Sequence, residues 1–221
     1  MKASVTRTLL YCGAVAGPLF TIVWLIDGAT RTGYDPMRHP ISGLAIGDAG
    51  WAQIISFVVT GLLTLALAVG LRRVVSEHGC PFWAPWLVGA MAVGFIGSGL
   101  FVTDPLNGYP PGTPNLPERL STSGLFHARF SMIMSLALAL LIALFTRFSA
   151  RQGERGWVFY SAVTLAIFLL MSILMNLGFS QIAYLVDYTG LFQRIALVVG
   201  LTWLTLFALY MARIERIADP E

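Results

Sequence analysis

Charged side chains are scarce in this sequence of 221 residues. Asp, Glu, Lys and Arg make up 11% of the chain and the mean hydropathy is +0.75, whereas soluble domains carry about 25% charged residues. Disorder is excluded as well, because disordered segments combine few apolar side chains with many charges, and here 57% of the residues are hydrophobic. The composition indicates an all-α, polytopic membrane protein.

Cysteine is also rare, with two residues in the chain. Cys12 lies in the first apolar run and Cys80 in a connector, so we expect them to lie too far apart for a disulfide. Neither cysteine has the neighbours of a metal site. The net charge of +3 comes from scattered residues, without the basic patch of a nucleic-acid-binding protein. The sequence therefore predicts no nucleic-acid partner.

Six apolar runs are long enough to cross a bilayer, which takes about 20 residues per helix. They cover residues 9–26, 51–71, 83–103, 126–145, 157–177 and 191–211. The connectors between them are too short to form a separate soluble domain. The sequence therefore predicts one transmembrane domain over residues 1–221, a single six-helix bundle in the cell's inner or plasma membrane.

Lys and Arg are distributed unequally between the two sides of this bundle, and cytoplasmic loops carry the excess. One side has nine, Lys2, Arg7, Arg72, Arg73, Arg147, Arg151, Arg155, Arg213 and Arg216. The other side has five, Arg31, Arg38, Arg119, Arg129 and Arg194. Both termini are therefore predicted to be cytoplasmic, which places two long loops, 28–50 and 104–125, outside the cytoplasm.

Small residues recur at helical spacing in two of the runs. Gly13 and Gly17 share a face of the first run, and Ala90, Gly94 and Ser98 share a face of the third. Such faces let helix backbones approach closely in a membrane. Packing within one chain is the favoured interpretation, and a homo-oligomer is the alternative.

The two long loops contain turn and cap signals. In the first loop, Asp35 is a predicted N-cap and Pro36 the first residue of a short helix. In the second loop, the prolines within residues 109–114 favour a stiff extended path. A hydroxyl side chain within residues 121–123 is then predicted to cap the fourth helix.

A polar stripe follows on the fourth helix. His127, Ser131 and Ser135 are spaced by four residues, so they lie on one helical face. A polar stripe within a membrane-spanning helix is expected to face the bundle interior rather than lipid.

Several of these stretches resemble a bacterial and archaeal integral-membrane family, domain of unknown function 998. They are DPMRHPISGLAIGDAGW at residues 35–51, Thr103-Asp104-Pro105, residues 108–114 (GYPPGTP), and Gly124-Leu125-Phe126-His127. The resemblance covers nearly the whole chain. It implies a six-helix membrane fold and transfers no established activity.

Three of the polar residues suggest a metal centre at the outer mouth of the bundle. His39, Asp104 and His127 would supply three ligands to a zinc-type ion and leave one position for water, which is the pattern of catalytic zinc. Zinc is the one cofactor that the sequence suggests. The alternative is structural, with His39 exposed in its loop and His127 hydrogen-bonded to Asp104.

A metal-free interpretation assigns the same region to acid and base catalysis. His127 or His39 would transfer protons, oriented by Asp104 or Asp35. The substrate would then lie near one of two hydroxyl groups, those of Ser42 and Tyr109. An ordinary network of caps and salt bridges at the helix mouths is the alternative.

Arginine and amide side chains of the outer half form the predicted ligand-binding set, Arg38, Arg129, Arg194, Asn176 and Gln193. Guanidinium groups match phosphate or carboxylate, which suits a lipid headgroup. Pairing with Asp104 or Asp187 is the alternative, and it is favoured for Arg194 because charges within membranes are usually paired.

The polar groups together predict a pocket facing away from the cytoplasm that binds an amphiphilic or lipid-like molecule, among membrane lipids. The function could be that of a membrane-embedded hydrolase or another acid/base enzyme. A small-molecule transporter or channel is the first alternative, and a non-catalytic lipid-binding or assembly protein is the second.

Overall fold

The computed structural model describes residues 2–78 and 81–218. These residues form six α-helices, α1 (Lys2–Thr30), α2 (Trp51–His78), α3 (Ala84–Leu100), α4 (Thr122–Arg151), α5 (Arg155–Phe179) and α6 (Thr189–Ala218). Three short 3-10 helices lie in the connectors, at Ile41–Ala45, Asp48–Gly50 and Val186–Tyr188. No β-strand occurs within these residues, which confirms the all-α class.

Five of the helices are long and apolar enough to cross a membrane, and α3 is the shorter exception. With 17 residues, α3 rises about 26 Å, slightly less than a hydrocarbon core of about 30 Å. It ends at Leu100 instead of the predicted residue 103, because Phe101 is already extended and a residue before proline, here Asp104, is disfavoured in a helix. The structure confirms a polytopic helical membrane protein.

The six helices form a closed ring, in which each packs against the next in sequence and α6 packs against α1. The small residues lie at these contacts. A Cβ atom on Gly13 would lie 2.5 Å from the Leu67 side chain of α2, and one on Gly17 would lie 2.9 Å from the Leu201 carbonyl oxygen of α6. Gly13 and Gly17 therefore pack within the chain, as the favoured interpretation predicts.

One end of the ring is filled by aromatic side chains. Phe145 of α4 lies between 5.0 and 5.8 Å from four other rings, those of Trp157, Trp203, Phe207 and Tyr210. The Trp203 indole N–H donates to the Ser161 hydroxyl at 2.8 Å. This aromatic cluster closes the interior at the end next to the α4–α5 connector.

Three connectors meet at the opposite end, and together they are named the loop cap, residues 31–50, 101–121 and 180–188. The Arg38 side chain donates to the Asn107 carbonyl oxygen at 3.0 Å, and the Gln181 amide donates to the Asn107 side-chain oxygen at 2.8 Å. These bonds join one residue from each connector. The loop cap therefore closes the ring at this end.

The short helix predicted to start at Pro36 is a single turn. The Asp35 carboxylate does accept from the Met37 N–H at 2.9 Å, as predicted for a cap. The turn stops before Pro40, because proline has no N–H and disfavours helical backbone in the residue before it. A separate 3-10 helix begins at Ile41.

The extended path predicted for residues 109–114 is wrong. The Thr113 N–H bonds the Pro110 carbonyl oxygen at 3.1 Å, and Gly112 has a φ of +89°, so the segment folds into turns. The predicted cap of the fourth helix is confirmed, because the Ser121 hydroxyl accepts from the Gly124 N–H at 3.0 Å.

Candidate functional site

Arg38 joins all three connectors of the loop cap. Besides its bond to Asn107, it donates to the Asn115 side-chain oxygen at 3.0 Å and forms an ion pair with Asp187. The Asn107 amide returns a bond to the Arg38 carbonyl oxygen at 3.1 Å. The guanidinium that the sequence assigned to ligand binding is thus engaged in holding the loop cap together.

His39 lies in an aromatic group under the loop cap. Its ring is 5.6 Å from that of Tyr34 and 5.1 Å from that of Tyr109, centroid to centroid. Its Nδ1 accepts from the Asp35 N–H at 2.8 Å, which requires the neutral ring. Only 7% of His39 is exposed, so the expectation of an exposed loop residue is wrong.

Burial also shifts the acid–base behaviour of this group. It lowers the pKa of His39 below its ordinary value, which the Asp35 carboxylate opposes and the Arg38 guanidinium reinforces. Burial raises the pKa of Tyr34 to about 12 and raises that of Tyr109. All three side chains therefore remain uncharged near neutral pH.

Arg194 of α6 is buried under the same loop. Its guanidinium donates to three carbonyl oxygens, those of Pro36 (2.5 Å), His39 (3.1 Å) and Gly190 (2.9 Å). It also donates to the Tyr34 hydroxyl at 2.5 Å and lies 5.2 Å from the Trp24 ring centre. Among the described residues no carboxylate pairs with it, so the predicted pairing with Asp104 or Asp187 is wrong.

Asp104 lies against the start of α4. Its carboxylate accepts from the Ser121 N–H at 2.8 Å, and a Cβ atom on Gly124 would lie 2.1 Å from its Oδ2 atom. A carboxylate at a helix N-terminus is favoured by the helix dipole. Asp104 therefore acts as a cap for α4, and the bonds of His127 run to other groups.

His127, on the first turns of α4, is held by two backbone carbonyls of the α3 end. Its Nδ1 lies 2.8 Å from the Phe101 oxygen and 3.0 Å from the Ser98 oxygen. Carbonyl oxygens only accept hydrogen bonds, so Nδ1 carries the proton. The predicted bond of His127 to Asp104 is wrong, since the described contacts of its ring are these two carbonyls and the edge of Phe57.

The ring encloses a cavity of about 70 Å³ beneath the loop cap, enough for more than a single water molecule. All six helices and the 3-10 helix Ile41–Ala45 contribute to its wall, and it is partly open rather than sealed. Its apolar wall includes Phe20, Phe57, Phe95 and Phe168. Its polar wall consists of Ser42, His127, Ser131, Ser135, Ser172 and Gln193.

The stripe of His127, Ser131 and Ser135 thus faces the bundle interior, as predicted. Of the predicted site residues, Ser42, His127 and Gln193 line this cavity. The other predicted site residues do not belong to the described wall of the cavity, namely His39, Asp104, Tyr109, Arg38, Arg129, Arg194 and Asn176. The sequence assigned one site where the structure has a cavity and, above it, a loop cap that contributes Ile41 and Ser42 to the cavity wall.

The metal hypothesis has no matching arrangement in the part of the chain that the structure describes. Within residues 2–78 and 81–218, no group of three His, Cys, Asp or Glu side chains could hold a metal ion. The structure therefore does not bring His39, Asp104 and His127 together as one ligand set. Cys12 is half-buried on α1, and Cys80 lies outside the described residues.

Two predicted ligand-binding residues are exposed on helix surfaces, Arg129 on α4 and Asn176 on α5. Sequence reasoning also missed two important positions. Ser172 lines the cavity from α5, and a hydroxyl group in an apolar run was its one signal. Asn107 organises the loop cap with a φ of +56°, and the Asn-Gly dipeptide is a turn signal that points to it.

The motifs and the helical bundle can be compared with known families. Residues 14–210 match a family described as "Protein of unknown function (DUF998)". The chain belongs to the DUF998 family. This confirms the resemblance carried by the loop motifs. No curated protein and no solved structure matches the chain, so DUF998 membership brings the membrane fold without an assigned activity.

Proposed function

We propose that this DUF998 protein binds a small, uncharged amphiphilic or lipid-like molecule in the cavity of the helix ring. The observation that carries the proposal is the composition of the wall, in which four phenylalanine rings adjoin six neutral polar side chains. Ligand sites are typically apolar hollows with a few placed polar groups. Because the cavity measures about 70 Å³, it would hold the polar head and the adjoining carbons of such a molecule, and the rest of an apolar chain would extend through the partly open side.

The absence of formal charge at the wall limits the ligand further. No Lys, Arg, Asp or Glu belongs to the described lining of the cavity. Burying an isolated charge there would cost far more than burying a hydrogen-bonded neutral group. The guanidinium groups of Arg31, Arg38 and Arg194, which lie in or beneath the loop cap, are already bonded to protein atoms. The proposed ligand is therefore neutral rather than an anionic headgroup.

Binding of this kind precedes each activity that the sequence suggested. A hydrolase must first hold its substrate, and a transporter must first hold its solute. The membrane supplies the ligand, since an apolar molecule partitions into the bilayer around the ring. The cavity is partly open, and we propose that the ligand enters through this opening.

A photolabel tests the proposal directly. The purified protein is placed in lipid nanodiscs with octyl methyl ether carrying a diazirine, and the labelled residues are mapped by mass spectrometry. We expect labelling at the cavity-lining residues Met134 and Met175. Replacing Ala196, a buried wall residue, with phenylalanine should remove it.

The matched control is Val198→Phe, which adds the same ring to the exposed face of α6, where Val198 is 39% exposed. Labelling of the cavity should persist in this variant. Equal cavity labelling in wild type and Ala196→Phe would refute the proposal.

The proposed orientation has both termini in the cytoplasm of a bacterial or archaeal cell, with the loop cap on the other side of the plasma membrane. It is supported by the nine Lys and Arg residues against five. In a variant without the natural cysteines, Glu118→Cys in the loop cap should react with a membrane-impermeant maleimide on intact cells. Gln152→Cys, in the α4–α5 connector, should react only after lysis, and the opposite pattern would invert the orientation.

A further inference from the structure

Two polar groups of the cavity have hydrogen-bonding roles that the backbone fixes. The first is His127, which is 5% exposed. Because Nδ1 carries the ring proton toward the Ser98 and Phe101 carbonyls, the uncharged ring has a lone pair and no hydrogen on Nε2. Within the described residues Nε2 has no hydrogen-bond donor. His127 lines the cavity, and its Nε2 is not one of the fully buried atoms without a partner, so this acceptor is free and a small molecule can reach it.

The second group is the Gln193 side chain on α6. Its Oε1 accepts from the Ile41 N–H at 2.7 Å, and an N–H group requires an oxygen there. The other amide atom must then be the NH₂ group, which only donates. In the described part of the chain this nitrogen has no acceptor. The same cavity thus contains a donor whose role is fixed as firmly as that of His127.

A ligand head that satisfies both groups must donate one hydrogen bond and accept another. We infer that the cavity binds an uncharged lipid with a hydroxyl head, such as a long-chain alcohol or a monoacylglycerol. Its O–H donates to His127 Nε2, and its oxygen accepts from the Gln193 amide. This inference rests on the proposed function and narrows its ligand to one chemical class.

Other neutral head groups leave His127 Nε2 or the Gln193 amide without a hydrogen-bond partner. Ethers, esters and ketones accept but do not donate, so they leave His127 Nε2 without a partner. An alkane leaves both groups without partners. An unsatisfied buried polar group costs enough to change binding about tenfold, so the preference for a hydroxyl group is measurable.

The test compares two photolabels that differ in one group. Octanol carrying a diazirine and its methyl ether are each added to the wild-type protein in nanodiscs. Labelling of lipid-facing residues serves as the reference for their concentration in the bilayer. We expect the alcohol to label the cavity about tenfold more strongly than the ether.

Two variants assign the preference to His127. His127→Asn retains an N–H group near the position of Nδ1 and has nothing at the position of Nε2, so the ratio of alcohol to ether should fall to about one. Thr146→Ala, which removes a hydroxyl on the same helix that lies outside the cavity wall and bonds the Ile142 carbonyl oxygen, should keep the wild-type ratio. Equal cavity labelling by both compounds in the wild type overturns the inference while the proposed function stands.

Two further results are decisive. A preference for the alcohol that survives in His127→Asn overturns the role of His127. If neither the alcohol nor the ether labels the cavity of the wild-type protein, the proposed function itself is overturned. The wild-type comparison needs no variant, so the inference can be refuted even if His127→Asn does not fold.

Discussion

Replacing Arg194 with methionine should destabilise the protein more than the same replacement of Arg38 in the loop cap. Methionine keeps a long, flexible side chain and removes the guanidinium. The change deletes four hydrogen bonds, three to carbonyl oxygens and one to the Tyr34 hydroxyl. It also removes the bonds that join Pro36 and His39 to α6, while the bond from the Leu191 N–H to the Met37 carbonyl oxygen remains.

The magnitude follows from these contacts. Hydrogen bonds to a charged group contribute about 1.5 kcal/mol each at the lower end, so four of them amount to about 6 kcal/mol. Removing a buried cation without a counter-ion recovers about 3 kcal/mol of desolvation. The free energy of unfolding should therefore fall by about 3 kcal/mol.

The matched control is Arg38→Met. Arg38 is paired with Asp187, but the two side chains are 26% and 59% exposed, and exposed pairs contribute up to about 1 kcal/mol. Both variants are unfolded by titration with a denaturing detergent in mixed micelles, and their free energies of unfolding are compared with wild type. A loss in Arg38→Met equal to or larger than that in Arg194→Met would refute the reasoning.

Two further predictions concern a glycine and a histidine. Gly124→Ala places a methyl group against the Asp104 carboxylate and should cost about 1–3 kcal/mol in the same titration. Gly89→Ala, with open space around the added group, should be neutral or stabilising. An equal loss of stability in the two variants would contradict the role of Asp104 as the cap of α4. The folded-state pKa of His39 is lowered, so the unfolded chain binds the proton more readily, and stability should fall as the pH drops below about 6.5. His39→Asn, whose side-chain oxygen can still accept from the Asp35 N–H, should flatten this loss in thermal unfolding between about pH 7.5 and 5.5, and an unchanged slope would contradict the assignment.

Hydropathy predicts the helices of this protein but not their neighbours in space. An apolar run of about 20 residues has one stable form in lipid, so the six runs correspond to α1–α6. The order of the helices around the ring cannot be predicted in this way. Lipid and protein interior are equally apolar, so the sequence does not mark which face of a helix is buried. Gly13 and Gly17 mark close contacts, yet they do not say that one contact is with α2 and the other with α6.

The candidate site was predictable where polarity within a helix was the signal. His127 and Ser131 interrupt an apolar run, and both face the cavity. Partner choice was not predictable, because backbone carbonyls leave no mark in a sequence. Arg194 and His127 bond such carbonyls, whereas sequence reasoning could offer them only aspartates. Asp104 instead caps the start of α4, where its carboxylate accepts from the Ser121 N–H.

The contact between α1 and α6 has a consequence for biosynthesis. The first of these helices leaves the ribosome early, and the last leaves it after the other four have been inserted. Until then the ring has a gap, and the interior faces the lipid of the insertion site along its whole length. The wall of the cavity, to which α1 and α6 both contribute, is therefore complete only when α6 docks against α1.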